Sequence, residues 1–388
     1  MALSNSIFIV TENKKSNRKM NFIKMLFTTV IILLYGPLLY AAEISVRLDN
    51  PPASGKVALV LFNSANTFGD LRDPFMLVIH ELDGRDEYLI NDVAPGEYAL
   101  LVYFDENNNG RIDKNFIGIP KEPLGFSNGY QPKGPPVYDR AAFQLKKEET
   151  LSFNVEPYRA LGKFGRIGIG LGVIAQSSPY RDYNATVIQV IPAISYNGER
   201  LQILGPRIQY GLIGSGKLRL AATGQYRIGA YEEDDSVFLT GMGDRESTFI
   251  AGLAIQAELP GGLDIAASYE HDVLDRIGGG TARLELGKSL QWGMLRFSPA
   301  LAFNWTSGEL SNHDFGVSET QATAERPAYN PGNTYSVETG FGVFIEVTRD
   351  VLIIVNVAVE SLGNEVTASP IVNEDHVIKG FAVINYVF

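Results

Sequence analysis

The 388-residue chain contains no cysteine, only 4 histidines and 2 tryptophans, and carries a formal net charge of -11. Without cysteine there are no disulfides, thiolate metal sites, thiol nucleophiles or lipoprotein anchor. The same absence suits a chain exported unfolded through an oxidising compartment. Lys and Arg number 33 against 44 Asp and Glu, so there is no cation excess to hold phosphates, which argues against a nucleic-acid partner. After Tyr40 no stretch stays apolar long enough to cross a membrane as a helix. What the chain has in quantity is glycine, at 39, with 18 Tyr and 21 Phe, more aromatic residues than a helical enzyme of this size would need.

At the amino end, Lys14, Lys15, Arg18, Lys19 and Lys24 precede an apolar run from Met25 to Tyr40, followed by Ala41-Ala42. This order reads as a secretory signal peptide over residues 1–42. The alternative is a membrane anchor, because the run approaches the ~17–20 residues needed to span. Residues 43–158 then read as a small soluble β-sandwich placed in the periplasm. Ile44–Leu48, Val57–Phe62 and Tyr98–Phe104 are β-branched and aromatic runs bounded by Pro, Gly and Asn. Phe143–Val155 predicts a further strand pair turning near Lys147–Thr150, and the spacing suggests antiparallel sheets.

The strongest of these strands runs into Asp105-Glu-Asn-Asn-Asn-Gly-Arg-Ile-Asp113. Oxygen side chains at positions 1, 3, 5 and 9, with Gly at 6, match the spacing of a calcium loop. Asp105, Asn107, Asn109 and Asp113 would offer side-chain oxygens and Arg111 its carbonyl. Position 12 is Phe116 instead of a bidentate Glu, and no helices flank the loop, so a bound Ca²⁺ would be held weakly. The same residues also read as a polar turn whose Asn and Gly accept positive φ.

From residue 159 to 388 the texture changes to long alternating strands. Leu218, Leu220, Ala222, Tyr226 and Ile228 share one parity, while Arg219, Thr223, Gln225 and Arg227 share the other. Leu295–Trp305, Tyr335–Val347 and the last stretch alternate in the same way. In that last stretch Ile378, Ala382, Ile384, Tyr386 and Phe388 lie opposite Lys379 and Asn385. Asn385 faces the lumen in this register and is expected to tolerate change. These strands run about nine to thirteen residues, the length that crosses a bilayer at a tilt. Short turns at Asn197-Gly198, Gly214–Gly216, Pro260–Gly262, Leu290–Gly293 and Thr348–Asp350 alternate with longer polar loops, which is the asymmetry of a transmembrane barrel. Eleven long strands cannot leave both ends on one side of a membrane. Gly205-Pro206 splits Glu199–Ile213 into two short strands, because Pro donates no ladder bond. The expected fold is therefore all-β: a transmembrane antiparallel β-barrel of about 12 strands behind a periplasmic β-sandwich.

Two resemblances add to this reading. Asp105–Asp113 with Gly118–Asn128 resembles a family of exported domains of unknown function, similar to transthyretin- or carboxypeptidase-regulatory-type sandwiches. Gly168-Ile-Gly-Leu-Gly172, Ser178–Tyr183, Ile191–Gly198, Leu239–Asp244 and Ser369–Glu374 occur in an order that resembles the MipA/OmpV family of outer-membrane proteins. That resemblance implies an outer-membrane scaffold whose partners are a lytic murein transglycosylase and a peptidoglycan synthase, with roles in permeability and adhesion. It implies no catalytic residues, and the sandwich lies outside its usual pattern.

Carboxylate–histidine pairs at an outer rim would activate water or a serine. His271-Asp272, His313-Asp314, Glu233–Asp235 and Ser311 are the residues of that type. The plainer account is solvated loop surface, bridged by divalent cations to lipopolysaccharide. The inward parity carries Arg219, Arg227, Arg283 and Arg296 with Asp264, Glu270, Glu285, Glu338, Glu346 and Glu360. In a narrow lumen these are expected to pair, because burying either sign alone is costly. Function is therefore expected to be non-enzymatic and scaffolding, set in outer-membrane lipid and lipopolysaccharide. A narrow channel is the alternative, with a surface hydrolase behind it.

Overall fold

A computed structural model describes residues 42–52, 54–85, 87–183, 187–214 and 217–388. Of the segment assigned to a signal peptide, all but Ala42 lies outside these residues. Among the described residues no helix is long and apolar enough to cross a membrane.

The first part is a sandwich of two sheets. One holds β1 (Ala42–Leu48), β4 (Glu87–Val93) and β8 (Thr150–Val155) in the order β4-β1-β8. The other runs β3 (Met76–Glu81), β2 (Lys56–Phe62), β5 (Gly96–Asp105), β6 (Pro123–Phe126) and β9 (Tyr158–Arg159), with β7 (Ala142–Leu145) also on β5. Every residue of Val57–Phe62 is buried, which an alternating strand with one wet face would not show. Val57, Leu59 and Leu61 meet Ile44, Val46 and Ile90 between the sheets. Ala58, Val60 and Phe62 point the other way, under Phe68, Phe126 and Tyr138. This second core is roofed by the helices Ala65–Asp70 and Tyr138–Ala141.

Two expectations for this part are corrected. Phe143–Val155 is not a hairpin: β7 joins β5, whereas β8 joins β1 in the other sheet. Nor is the sandwich wholly antiparallel, since β1 and β8 run parallel from Glu43↔Thr150 to Leu48↔Val155. Each strand turns its apolar residues to the nearest open core, and no local turn outweighs that burial.

The second part is a closed antiparallel barrel. Its staves are β10 (Arg166–Gln176), β11 (Val187–Asn197), β12 (Leu201–Leu204), β13 (Arg207–Ile213), β14 (Leu218–Arg227), β15 (Thr248–Leu259), β16 (Leu263–Asp272), β17 (Gly280–Lys288), β19 (Leu295–Thr306), β20 (Thr334–Glu346), β21 (Val351–Leu362) and β22 (His376–Val387). These make twelve. A short β18 (Leu290–Trp292), where a plain turn was expected, pairs only with the start of β19. The barrel shuts where β22 pairs β10 from Gly168↔Val387 to Gln176↔Lys379, so no edge strand is left at the seam. Gly205, at φ 54, turns β12 into β13, which pair from Leu204↔Arg207. A side chain there would be strained, which is why the Gly-Pro step marks a strand boundary.

Parity sorts the wall as expected. Leu218, Leu253, Leu301, Phe303, Tyr335, Ile384 and Tyr386 point outward and are exposed on the apolar belt, while Arg219, Thr223 and Asn385 are buried inside. Asn385 does not fit the expectation of tolerance. Its Nδ2 donates to Ser195 Oγ at 3.0 Å, and it is 7% exposed, so an apolar replacement there would lose a buried hydrogen bond.

Candidate functional site

Inside the barrel, the inward charges meet one another. Arg283 Nη2 reaches Glu285 Oε2 at 2.7 Å and Glu338 Oε1 at 2.8 Å. Lys379 Nζ reaches Glu338 Oε2 at 3.0 Å and Glu360 Oε2 at 2.6 Å. Strand alternation brings all four strands' charges to the axis, and pairing removes most of the penalty of burying them. The expectation of a paired lumen holds for this belt.

At the end of the barrel that carries its two termini, the partners come from the sandwich instead. Asp70, closing the helix Ala65–Asp70, pairs with Arg296 on β19. Arg72 reaches Asp264 Oδ1 at 2.9 Å and Glu258 Oε2 at 3.3 Å, flanking the turn between β15 and β16. Tyr130 donates its hydroxyl to Glu346 Oε2 at 2.8 Å. Lys133 reaches Asp350 at 2.7 Å and donates to the Val387 carbonyl at 2.6 Å. Asn115 Nδ2 donates to the Gly198 carbonyl at 3.0 Å, and Gln291 N donates to Asn66 Oδ1 at 2.7 Å. These contacts touch the turns around the rim, so the sandwich sits across this mouth. Arg219 Nη1 lies 3.5 Å from Glu258 Oε1, so strand and sandwich cations share that carboxylate. None of these sandwich residues carried a sequence signal, because partner choice across two domains leaves no local period.

The far mouth is closed by its own loops. Tyr180, Tyr231, Leu239, Met242, Val317, Val366, Ile371 and Val372, from four loops, form one buried cluster. Arg326, 6% exposed, donates from Nη1 to the carbonyls of Phe238 at 2.5 Å and Thr240 at 3.3 Å. Stretches read as polar loops therefore carry a small core and the helices Gly308–Phe315 and Asn364–Thr367.

The residues weighed for catalysis do not form a relay. Ser311 is 0% exposed, and its hydroxyl lies 2.7 Å from Thr334 Oγ1 instead of facing a histidine. His313 Nδ1 is 3.0 Å from Asp314 Oδ1, but Asp314 also pairs with Arg227. Burial opposes its ionisation, yet Arg227 and His313 hold its carboxyl below the usual range. Asp272 accepts from the amides of Leu274, Ile277 and Gly278, while His271 turns to Tyr269 at 3.3 Å. In Glu233–Asp235, Glu233 accepts from the amides of Gly241 and Gly243. These groups build loops.

The loop Asp105–Asp113 does bring its residues together. Asp105 accepts from the amides of Asn109 at 2.9 Å and Gly110 at 2.7 Å. Asn107 Nδ2 and Asn109 Nδ2 donate to Asp113 at 2.6 and 3.1 Å, and Asn109 Oδ1 accepts from Arg111 N at 2.9 Å. Asn108 and Gly110 take the positive φ that the bend needs. Glu122, not singled out in the sequence, lies beneath them at 3% exposure and accepts from Asp113 N at 2.9 Å and Glu106 N at 3.1 Å. Among the described residues no three His, Asp or Glu groups converge as a metal cluster. The side chains of Asp105, Asn107, Asn109 and Asp113 thus bond to one another and to the loop's own amides.

Comparison with known proteins places both parts. A family model for the MltA-interacting protein MipA matches residues 169–388, and one for an uncharacterized protein conserved in bacteria (DUF2141) matches residues 47–152. YiaT of Escherichia coli (strain K12) is 26% identical over 227 residues, which span 56% of this chain and 89% of YiaT. The MltA-interacting protein of the same strain is 27% identical over 218 residues, 55% of this chain and 86% of that protein. Outer membrane protein OmpV of Vibrio cholerae is 27% identical over 144 residues, 37% of this chain and 56% of OmpV.

Proposed function

Because the chain belongs to the MltA-interacting protein MipA family, we propose that this outer-membrane barrel is a non-enzymatic scaffold tying the membrane to peptidoglycan-remodelling machinery. The observation that carries the reading is the closure of the lumen at both ends, by the sandwich and by the loop cluster. A conducting pore needs a continuous wet path, and a hydrolase needs a reachable nucleophile. A platform needs neither. The barrel mouth that carries the termini faces the periplasm in this reading. Its short turns lie under the sandwich, so a periplasmic partner meets the sandwich first, on the sheet β4-β1-β8. The name of the relative, MltA-interacting protein, supports a murein transglycosylase as the partner class.

Crosslinking in intact envelopes, followed by capture of the tagged chain, tests this. The expected result is a murein transglycosylase or synthase joined to residues of β1, β4 or β8. Capture that yields no murein enzyme, with the barrel folded and the sandwich intact, would replace the scaffold reading.

A further inference from the structure

The barrel wall is uneven at one place. β11 pairs β10 over its whole length, from Gln176↔Val187 to Arg166↔Asn197. On its other edge it pairs β12 only from Ser195↔Leu204 to Asn197↔Gln202. The last ladder bond on that edge is Gly205 N to the Ile194 carbonyl, at 3.1 Å. Among the described residues, none pairs with 187–193 on that edge. Backbone groups of a strand point to alternate edges, so those of residues 188, 190 and 192 share the direction of Ile194, toward the gap. Position 192 is Pro, which has no N–H to leave unpaired there. Ile188 and Val190, both 68% exposed, flank the gap on the outer face. An open edge at bilayer depth is costly unless it lines a cavity.

A cavity does lie there. A chamber of about 830 Å³ fills the lumen between the sandwich and the belt of ion pairs. Residues 191–195 of β11 and 204–207 at the turn from β12 to β13 line it. The chamber therefore lies directly against the stretch of β11 whose other edge is unpaired. Its inner wall has two halves. Ile354, Phe381 and Val383 make an apolar side. Arg72, Lys114, Arg207 and Arg219 make a cationic side, and cations outnumber carboxylates in the lining. Arg219 is 8% exposed, yet its Nε has no hydrogen-bond partner, and neither has Arg207 Nε. The nearest carboxylate to Arg207 is Glu270, at 3.9 Å. Lys114, 9% exposed, donates to the carbonyls of Asp70 at 2.8 Å and Leu71 at 3.4 Å. Arg219 and Lys114 are buried, and Arg207, its side chain 42% exposed, stands beside the chamber; cations that their own carboxylates do not fully match are positioned to take an anion.

We propose that the chamber binds an amphiphilic lipid anion, a carboxylate or phosphate head on an acyl body, admitted from the bilayer through the gap between β11 and β12. The head meets Arg207, Arg219 and Lys114, and the acyl body lies along Ile354, Phe381 and Val383 and out through the gap. This site does not depend on the scaffold reading, since a scaffold could hold a lipid and a lipid-binding barrel need not hold a murein enzyme.

The absence of cysteine makes the test direct. In the full chain, in nanodiscs, a single bimane label is placed at Ala193→Cys or, separately, at Gln256→Cys, both lining the chamber. Leu253→Cys, 52% exposed on the lipid face, is the control. The quenchers are 9,10-dibromostearate, dibromo-phosphatidylglycerol and zwitterionic dibromo-phosphatidylcholine. The expected result is saturable quenching of a chamber label by an anion but not by phosphatidylcholine, with the control quenched by all three. Dibromostearate alone identifies a free fatty acid, and phosphatidylglycerol a phospholipid. Arg207→Gln should raise the half-quenching concentration about tenfold, and Arg219→Gln likewise, with folding checked by heat-modifiable mobility and by the control label. Equal quenching by all three lipids at a chamber label, no quenching at either chamber label, or indifference to both Arg substitutions would overturn the proposal.

Discussion

Asp105 is 1% exposed, and both of its oxygens are engaged by amides of its own loop. We propose that Ca²⁺ adds to this framework through Asp105, Asn107, Asn109, Asp113 and the Arg111 carbonyl. With two carboxylates and two amides, Kd should lie at about 10⁻⁴–10⁻³ M. Ten times that concentration would stabilise the folded sandwich by about 1.4 kcal/mol. Residues 43–158 should then melt a few degrees higher in calcium, and Asp105→Ala should remove the increment. A melting point indifferent to calcium would leave only a polar turn. Glu122 beneath the loop offers a second measurement. Burial pushes its carboxyl up to about 6, against the two amides that favour its ionised form. The folded state therefore holds a proton that the unfolded chain, with a pKa near 4.5, has released. Stability from this group is complete below about 4.5 and is lost as pH rises through about 6. A pH series of melts should show that slope, and Glu122→Gln should flatten it. The loop's spacing was legible because its ligands are neighbours in the chain. Glu122 was not, because only the folded sheet carries it under the loop.

At the scale of strands, parity is what governs tolerance. Leu220 and Thr223 lie three residues apart on β14 and point to opposite faces, with Thr223 5% exposed inside the lumen. Leu220→Arg should cost about 2–4 kcal/mol near the midplane, and Thr223→Arg much less. Folding titrations in lipid measure both, and equal costs would mean the register is wrong. The split at Gly205-Pro206 was legible for a related reason: the missing donor and the positive φ of Gly205 are both local. The partners of β7 and β8 were not legible, because either sheet accepts an alternating strand.

At the scale of the whole molecule, the sandwich, the belt of ion pairs and the loop cluster lie in series along one lumen. Planar-bilayer recordings should therefore show little steady conductance from the intact chain. Asp70→Ala leaves Arg296 without its sandwich partner but, with the belt and the loop cluster still in series behind it, should keep the conductance low. A large and reproducible wild-type conductance would favour the channel reading instead. Glu338→Ala should likewise keep the conductance low, since Arg283 and Lys379 retain Glu285 and Glu360 and both mouths stay covered.

Alternation, turn chemistry and the lack of cysteine or long apolar runs were sufficient to specify a twelve-stranded barrel with charges inside and an apolar belt outside. Those properties are short-range: a strand declares its two faces every second residue, wherever it pairs. Tertiary structure alone decided that the sandwich covers a mouth, that the outer loops share a core, and that β11 stands partly unpaired beside a cationic chamber. Each of these depends on which distant segment lies opposite which. Asp70 meets Arg296 across 226 residues of chain, a separation that no local period encodes.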